Sequence, residues 1–378
     1  MLVSDITLVD HADFCELHAQ VKFETHWVWG DEPFALWYRF PSRFRDFMSA
    51  ENGDPFVAAF LVPAMVLGER LEIEAPVSAK LINALPDIQT IYRCWDEKYA
   101  AVDVKAPIRS IGAADTSRAS NVGLFFSMGV DSSYSLLKNV LRHPADTETI
   151  SHLIVVEGFD IYLWESERFP RLLENVGRVA GAFGKRALPV TTNLRDVSDR
   201  VANRPEAYHG PALASVVLAL GGMFSQVHIA AGQTYQRLSA SGIHPLLDPL
   251  WGTERLAFVH DGLEATRLDK VRYLVQSPML VENLRVCAAD QLSDVYNCGR
   301  CEKCMRTSLC LYAAGALEMC KTLPHSIDVE LLRAMPISGL KKGRPKSIYE
   351  VVLDVLRNTG ADSTLQAALE ECITRNLA

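Results

Sequence analysis

Residues 124–139 read LFFSMGVDSSYSLLKN. An apolar run, expected as a strand over 122–126, stops at a cluster of Ser127, Met128, Gly129, Val130, Asp131, Ser132 and Ser133. A helical pattern over 132–142 then begins at once, with Tyr134, Leu137 and Leu141 on one face. A tight polar loop between a buried strand and a helix presents free backbone N–H groups and the positive end of a helix dipole, which is an anion site. Gly129 lets the backbone approach a phosphate closely. Ser127, Ser132 and Ser133 supply hydroxyl donors, and Asp131 either caps the helix or positions a metal ion. The plainer reading is a strand-to-helix turn with Ser and Asp as caps, and the loop alone does not separate the two.

Outward from this loop the chain alternates. Expected strands at 152–157 (HLIVVE), 187–191 (ALPVT) and 227–231 (VHIAA) are interleaved with expected helices at 166–184 and 210–224. Short apolar strands alternating with amphipathic helices predict βαβ units and a parallel sheet covered on both faces. Residues 1–110 have another texture. AQVKFETHWVW, FALWYRF and ERLEIEAP favour strands, while SAKLINALPDIQTIYRCW is helical in pattern with Pro86 inside it. The small-residue stretch SIGAADTSRAS, 110–120, predicts a boundary. The sequence thus divides into a strand-rich α+β accessory domain, 1–110, and an α/β domain, 118–378. Beyond residue 265 the pattern is mainly helical, and 338–347 (SGLKKGRPKS) is a basic loop.

Composition bounds the function. The chain has 378 residues, 49% hydrophobic and 22% charged, with a net charge of −8. That balance argues against a broad nucleic-acid-binding face. The longest apolar stretch, 211–224, is too short to span a bilayer and contains Pro and Gly. The amino-terminal MLVSDITLVDHADF lacks a basic leader and carries early acids, so the expected compartment is the cytoplasm, with no membrane partner.

Nine cysteines in such a chain favour reduced thiols or metal over disulfides. Cys287, Cys298, Cys301 and Cys304 follow a C-x10-C-x2-C-x2-C spacing. Four thiolates from a tight knuckle and one upstream residue match a closed tetrahedral Zn²⁺ site, whose role is structural because no position is left for water. An iron–sulfur cluster or a hidden catalytic thiol are the competing readings. Cys15, Cys94, Cys310, Cys320 and Cys372 fall outside the pattern and read as small hydrophobes.

The loop FSMGVDSSYSLL resembles the SGGxDS pyrophosphate loop of the N-type ATP pyrophosphatases. Ser127, Gly129, Asp131 and Ser132 match, and Met128 stands where the family usually has its first Gly. A zinc knuckle towards the carboxyl end resembles 7-cyano-7-deazaguanine synthase in particular, although Arg306 lies one step before the place, Thr307, where that spacing wants an Arg. EAYHGPALASVVLALGG, SGIHPLLD (241–248) and RLDKVRYLV (267–275) resemble further pieces of that enzyme in the same order. The likeness covers about residues 120–312 and leaves 1–110 and the carboxyl-terminal tail outside it.

The resemblance implies a Rossmann-like adenine-nucleotide α-hydrolase domain. It implies cleavage of ATP between the α and β phosphates, with Mg²⁺ on the phosphates, and adenylation of a carboxylate. Attack by ammonia or another amine then gives an amide, a nitrile or a conjugate. It further implies ATP contacts from Ser127 to Ser133, Glu157 and Gly232, a substrate side at Ser241, His244 and Asp248, and reactive roles for Asp131, Ser132 and Lys270. His244 and Asp248, each before a Pro, have a plainer reading as turn openers, and Lys270 as a solvated charge. Two other classes stay open: a tRNA or small-molecule thiolase, and a protein-modifying relative of the kind found in bacterial defence systems, with residues 1–110 recognising a protein partner. A homodimer is within the expectation.

Overall fold

The computed structural model describes residues 1–109, 120–144, 147–165, 167–202, 207–287, 295–337 and 346–377. Apart from Ser120, the boundary stretch 110–120 lies outside the described residues. So does the basic loop 338–347, apart from Lys346 and Ser347.

The amino-terminal part runs β1 (Leu2–Asp10), β2 (Phe14–Lys22), a helical turn α1 (His26–Trp29), β3 (Phe34–Pro41), α2 (Asp54–Leu67), β4 (Leu71–Ile73), α3 (Ala79–Trp95) and β5 (Val104–Lys105). Then follow β6 (Asn121–Phe125), α4 (Val130–Arg142), β7 (His152–Glu157), α5 (Arg168–Ala182), β8 (Arg186–Thr192), a turn α6 (Arg195–Val197), α7 (His209–Leu218), β9 (Phe224–Ala230) and β10 (Ala257–Asp261). The carboxyl-terminal part is helical: α8 (Arg267–Leu274), α9 (Pro278–Glu282), α10 (Glu302–Ala313), α11 (Val329–Ala334), α12 (Ile348–Thr359) and α13 (Ser363–Leu377).

Hydrogen bonding joins the strands into one ten-stranded sheet in the order β10-β9-β6-β7-β8-β3-β2-β1-β4-β5. From β10 to β8 all pairs are parallel, while β8/β3, β3/β2 and β2/β1 are antiparallel. The architecture is therefore α/β with a mostly parallel sheet. The expected strands reappear as β6 to β9. The expected helix 210–224 stops at Leu218, where a Gly221-Gly222 turn leads into β9. β10 was not anticipated.

The sequence divides at 110–120, but the sheet does not divide there. Tyr38 and Arg39 of β3 pair with Thr192 and Thr191 of β8. In β2 and β3 every second residue is buried, among them Leu17, Val21, Leu36, Tyr38 and Phe40. That is the period of a strand with one covered face. They face α2, which is buried almost all round from Asp54 to Met65. The same core takes in α7 and residues such as Leu188, Val227 and Phe258 from the parallel half. Val122, Leu124, Leu153 and Val155 point to the opposite face and a second core built with α4, α5 and the carboxyl-terminal helices. In β6 and β7 alternate residues thus feed the two cores, which explains why these two strands are apolar almost throughout.

Candidate functional site

Numbered within the parallel half alone, the strands run 3-2-1-4-5, so the order reverses between β6 and β9. In such sheets ligands bind beyond the carboxyl ends of the strands at that reversal. A cavity of about 1060 Å³ opens there. Ser127, Gly129, Asp131 and Ser132 line it below the start of α4, and His209 and Leu213 line it at the start of α7.

The loop 127–132 is held by backbone geometry. Met128 has a φ of 63°, a left-handed conformation that favours Gly and costs another residue about 1 kcal/mol or more. The backbone at this position is thus one a Gly would adopt. The Met128 side chain is fully buried in the second core, and its carbonyl accepts from the Arg285 N–H at 2.9 Å. Val130 is also buried there. Gly129 begins the helix without a side-chain cap; Ser133 N–H and Ser132 Oγ donate to its carbonyl at 3.0 and 3.2 Å. The plain capping reading of Asp131 fails, because its carboxylate turns elsewhere. Ser133 Oγ is buried and has no partner among the described residues.

Asp131 Oδ2 accepts from Arg267 at 2.8 Å and Oδ1 accepts from Lys270 at 2.9 Å. Burial pushes the Asp131 carboxyl up, but Arg267 and Lys270 outweigh it and hold the group below the usual carboxylate range. Lys270 is almost completely buried and also donates to the Ala231 carbonyl at the end of β9, at 2.6 Å. It therefore ties α8 to the loop and the sheet from behind, and does not line the cavity.

Six cationic residues line the cavity: Arg237, Arg267, Arg285, Lys303, Arg306 and Lys346. Only Asp131, Asp160 and Glu302 oppose them among the lining carboxylates. A chain with net charge −8 has therefore gathered an excess of positive charge at one place. Low-dielectric walls focus such a field on an anionic ligand. Arg306 Nε is buried and has no partner among the described residues.

Of the other expected residues, Gly232 and Ser241 line the cavity and Glu157, His244 and Asp248 do not. Glu157 accepts from the Thr191 hydroxyl at 3.0 Å, and its carboxyl is pushed up mainly by burial. The chain beyond it turns at Gly158, whose φ of 93° and close approach to the Thr192 carbonyl leave no room for a Cβ. That turn sends Phe159, Asp160 and Ile161 to the cavity instead. His244 packs its ring against Trp95, and its Nδ1 accepts from the Leu246 N–H at 3.1 Å. It serves the turn. Asp248 is fully buried beneath His260, which does line the cavity. Arg267, Arg285, Arg306 and His260 are the residues that sequence reasoning missed. Arg267, three positions before Lys270 in the quoted helix, Arg285, two before Cys287, and Arg306, beside the knuckle, stood in stretches already singled out.

The Sγ atoms of Cys287, Cys298, Cys301 and Cys304 all lie within 4.8 Å of one another. The Cys287–Cys301 and Cys298–Cys304 separations are both 3.9 Å. A single tetrahedral ion with metal–sulfur bonds near 2.3 Å holds its ligands about 3.8 Å apart. A multi-iron cluster would have to sit between the sulfurs and spread them further. Backbone N–H groups of Arg300 and Cys301 donate to Cys298 Sγ at 3.4 and 3.2 Å, the kind of outer support that orients thiolate ligands. Cys301 is the N-cap of α10 and Cys304 lies in its first turn. The same helix carries Lys303 and Arg306 to the cavity.

Comparison of the chain with protein-family models, with curated proteins and with solved structures returns no match. The functional reading therefore rests on the site itself. No helix among the described residues is long and apolar enough to cross a membrane.

Proposed function

We propose that the protein is an ATP-dependent adenylating enzyme of the N-type ATP pyrophosphatase kind, joining a carboxylate to ammonia or another amine as 7-cyano-7-deazaguanine synthase does. The observation that carries the reading is the loop 127–132, which opens at the strand-order reversal into a cavity with an excess of positive charge. In this reading the parallel half is a Rossmann-like adenine-nucleotide α-hydrolase domain.

The chain's own residues divide the work. N–H groups at the start of α4, with the Ser127 and Ser132 hydroxyls, hold the β and γ phosphates. Arg267, Arg285 and Arg306 spread the charge that builds up as a carboxylate oxygen attacks the α phosphorus and the bond to the β phosphate breaks. Pyrophosphate leaves, and the acyl-adenylate remains. An amine nitrogen then bonds to the acyl carbon, and AMP departs with the electron pair of the broken C–O bond. The β7 side, with Val156, Phe159 and Ile161, is apolar enough to take adenine, and the side of Gly232, Gln233 and Ser241 takes the carboxylate substrate.

The donor set does not favour a protein-held Mg²⁺ at the loop, since both oxygens of Asp131 are engaged by cations. The Mg²⁺ that accompanies ATP is treated as part of the substrate, and no step is routed through it. The cysteine cluster suits Zn²⁺ in a structural role, from its sulfur spacing and its closed set of four ligands. A conjugating variant, with a protein as acceptor, is favoured by large exposed side chains flanking the lining segments: Trp164, Tyr235 and Leu246 are 66%, 68% and 62% exposed.

The test is the fate of ATP. The purified protein is incubated with MgATP, ammonium and a set of carboxylates: a 7-deazaguanine carboxylate, benzoate, acetate and a peptide carboxyl terminus. AMP plus pyrophosphate is the expected outcome with at least one member. ADP plus phosphate overturns the reading.

A further inference from the structure

A buried His–Asp pair stands at the edge of the cavity away from the phosphate loop. His260 lies near the end of β10, and its Nδ1 is 2.6 Å from Asp248 Oδ2. The His260 side chain is 4% exposed and that of Asp248 is wholly buried. Asp248 Oδ1 accepts from the His244 N–H at 3.3 Å. The aspartate is thus fixed on one side by backbone and on the other by the imidazole.

The surroundings are built closely around this pair. The Gly210 N–H donates to the Gly242 carbonyl at 2.7 Å. A Cβ on Gly210 would meet that carbonyl oxygen at 2.1 Å and Asp248 Oδ1 at 2.9 Å. A Cβ on Gly242 would strike the backbone of residues 207–209. Two glycines thus let the start of α7 and the 241–248 segment close over Asp248. A carboxylate placed so holds an imidazole with Nδ1 as donor and leaves Nε2 with its lone pair. His260 lines the cavity, and its Nε2 has no hydrogen-bond partner among the described residues. The bland reading is a core histidine satisfied by one carboxylate. It accounts for Nδ1, but it leaves unexplained why a wholly buried acid is spent on a residue whose other nitrogen faces a ligand cavity. Burial alone pushes the Asp248 carboxyl up, and His260 is the first influence opposing it.

We propose that His260 is the general base of the second half-reaction, taking the proton from the amine that attacks the acyl-adenylate, and that Asp248 is its positioning residue. The proposal rests on the adenylation reading. The nitrogen–carbon bond forms as the C–O bond to AMP breaks, the electron pair leaves with AMP, and the surplus proton of the amine passes to His260 Nε2 and then to water. The position fits this half of the chemistry. Ser241, Ile243 and Pro245 line the same side as His260, whereas the cations that would bind phosphate come from α8, α10 and the Arg285 segment. Adenylation needs no base, because a carboxylate attacks in its ordinary ionised form. Aminolysis does, because the amine nitrogen that bonds to the acyl carbon carries one proton more than the amide keeps.

The experiment compares wild type, His260→Gln and Asp248→Asn with MgATP and the four carboxylates named above. Two readouts are taken. One is carboxylate-dependent exchange of labelled pyrophosphate into ATP, which reports adenylation alone and also certifies folding. The other is product formation with ammonium against hydroxylamine, a stronger nucleophile, largely unprotonated at neutral pH, for which water suffices as proton acceptor. For His260→Gln, exchange should stay within about twofold and hydroxamate formation should persist. Amide formation with ammonium should fall by about 10²–10⁴-fold, the usual worth of a general base. Asp248→Asn should show the same split more weakly. Equal loss with both nucleophiles, or no loss with either, overturns the role of His260. Absence of exchange in wild type overturns the adenylation reading and this role with it.

Discussion

At the residue scale the loop turns on Met128 and Asp131. Ser127, Gly129, Asp131 and Ser132 could be singled out in the sequence because small, hydroxyl-bearing and acidic types suit an anion loop, and all four line the cavity. Met128 was legible only as a departure. The structure accounts for it by giving the backbone the left-handed path that a Gly would take while the side chain fills the second core. Met128→Gly should therefore gain about 1 kcal/mol of backbone preference and lose about 2–5 kcal/mol of buried packing. A lower denaturation midpoint with unchanged ATP affinity is the expected result. Asp131 carries a pH signature. Its carboxyl is held low by Arg267 and Lys270 once their pull has overcome burial. A group lowered in the folded state contributes stability above its unfolded value, about 3.9, and loses it as pH falls through the folded value. Asp131→Asn should cost about 3–5 kcal/mol at neutral pH, as removal of one partner strands buried cations. The gap to wild type should narrow on acidification below about pH 4, as read from unfolding curves across pH. Arg267, Arg285 and His260 were not legible because a lone basic residue in a sequence has no partner until folding supplies one, and Arg306 was legible only as a displaced counterpart of an expected Arg.

At the element scale the βαβ rhythm could be read directly, since strands buried on both faces are short apolar runs and the helices between them are amphipathic. β10 escaped because its sequence, AFVHD, ends in His260 and Asp261. Asp261 leaves the apolar pattern to pair with Lys138 at 2.6 Å, and His260 leaves it to meet Asp248. The knuckle was legible from spacing alone, but its neighbour was not. The cluster holds the N-cap and first turn of α10, and the same turns carry Lys303 and Arg306 to the cavity. If the ion is Zn²⁺, stripping it with a strong chelator should weaken ATP binding as well as lower the melting temperature. Metal content by elemental analysis, set beside the ATP Kd before and after chelation, checks this. Full metal loss with an unchanged Kd contradicts it.

At the scale of the whole molecule, the least legible feature was the union of the two halves. It depends on two residues of β3 meeting two of β8 across more than a hundred and fifty positions, and no local pattern encodes such a pairing. The shared core makes the consequence concrete. A fragment beginning at residue 118 would uncover the face of α7 that packs on α2 and leave β8 as an open edge. It should be aggregated or show no cooperative melt, whereas a soluble, cooperatively melting fragment contradicts the single shared core. The central claim is that the loop 127–132 cradles the phosphates of ATP. Gly129 tests it most directly, because its backbone suits any residue and a Cβ there meets only Ser127 Oγ at 3.3 Å and the Arg285 carbonyl at 3.7 Å. Gly129→Val should therefore fold while crowding the cradle. Calorimetric titration of MgATP into wild type and Gly129→Val should show binding weakened by at least about tenfold, or 1.4 kcal/mol, in a variant whose melting temperature stays close to that of wild type. Equal affinity in the two proteins contradicts the account.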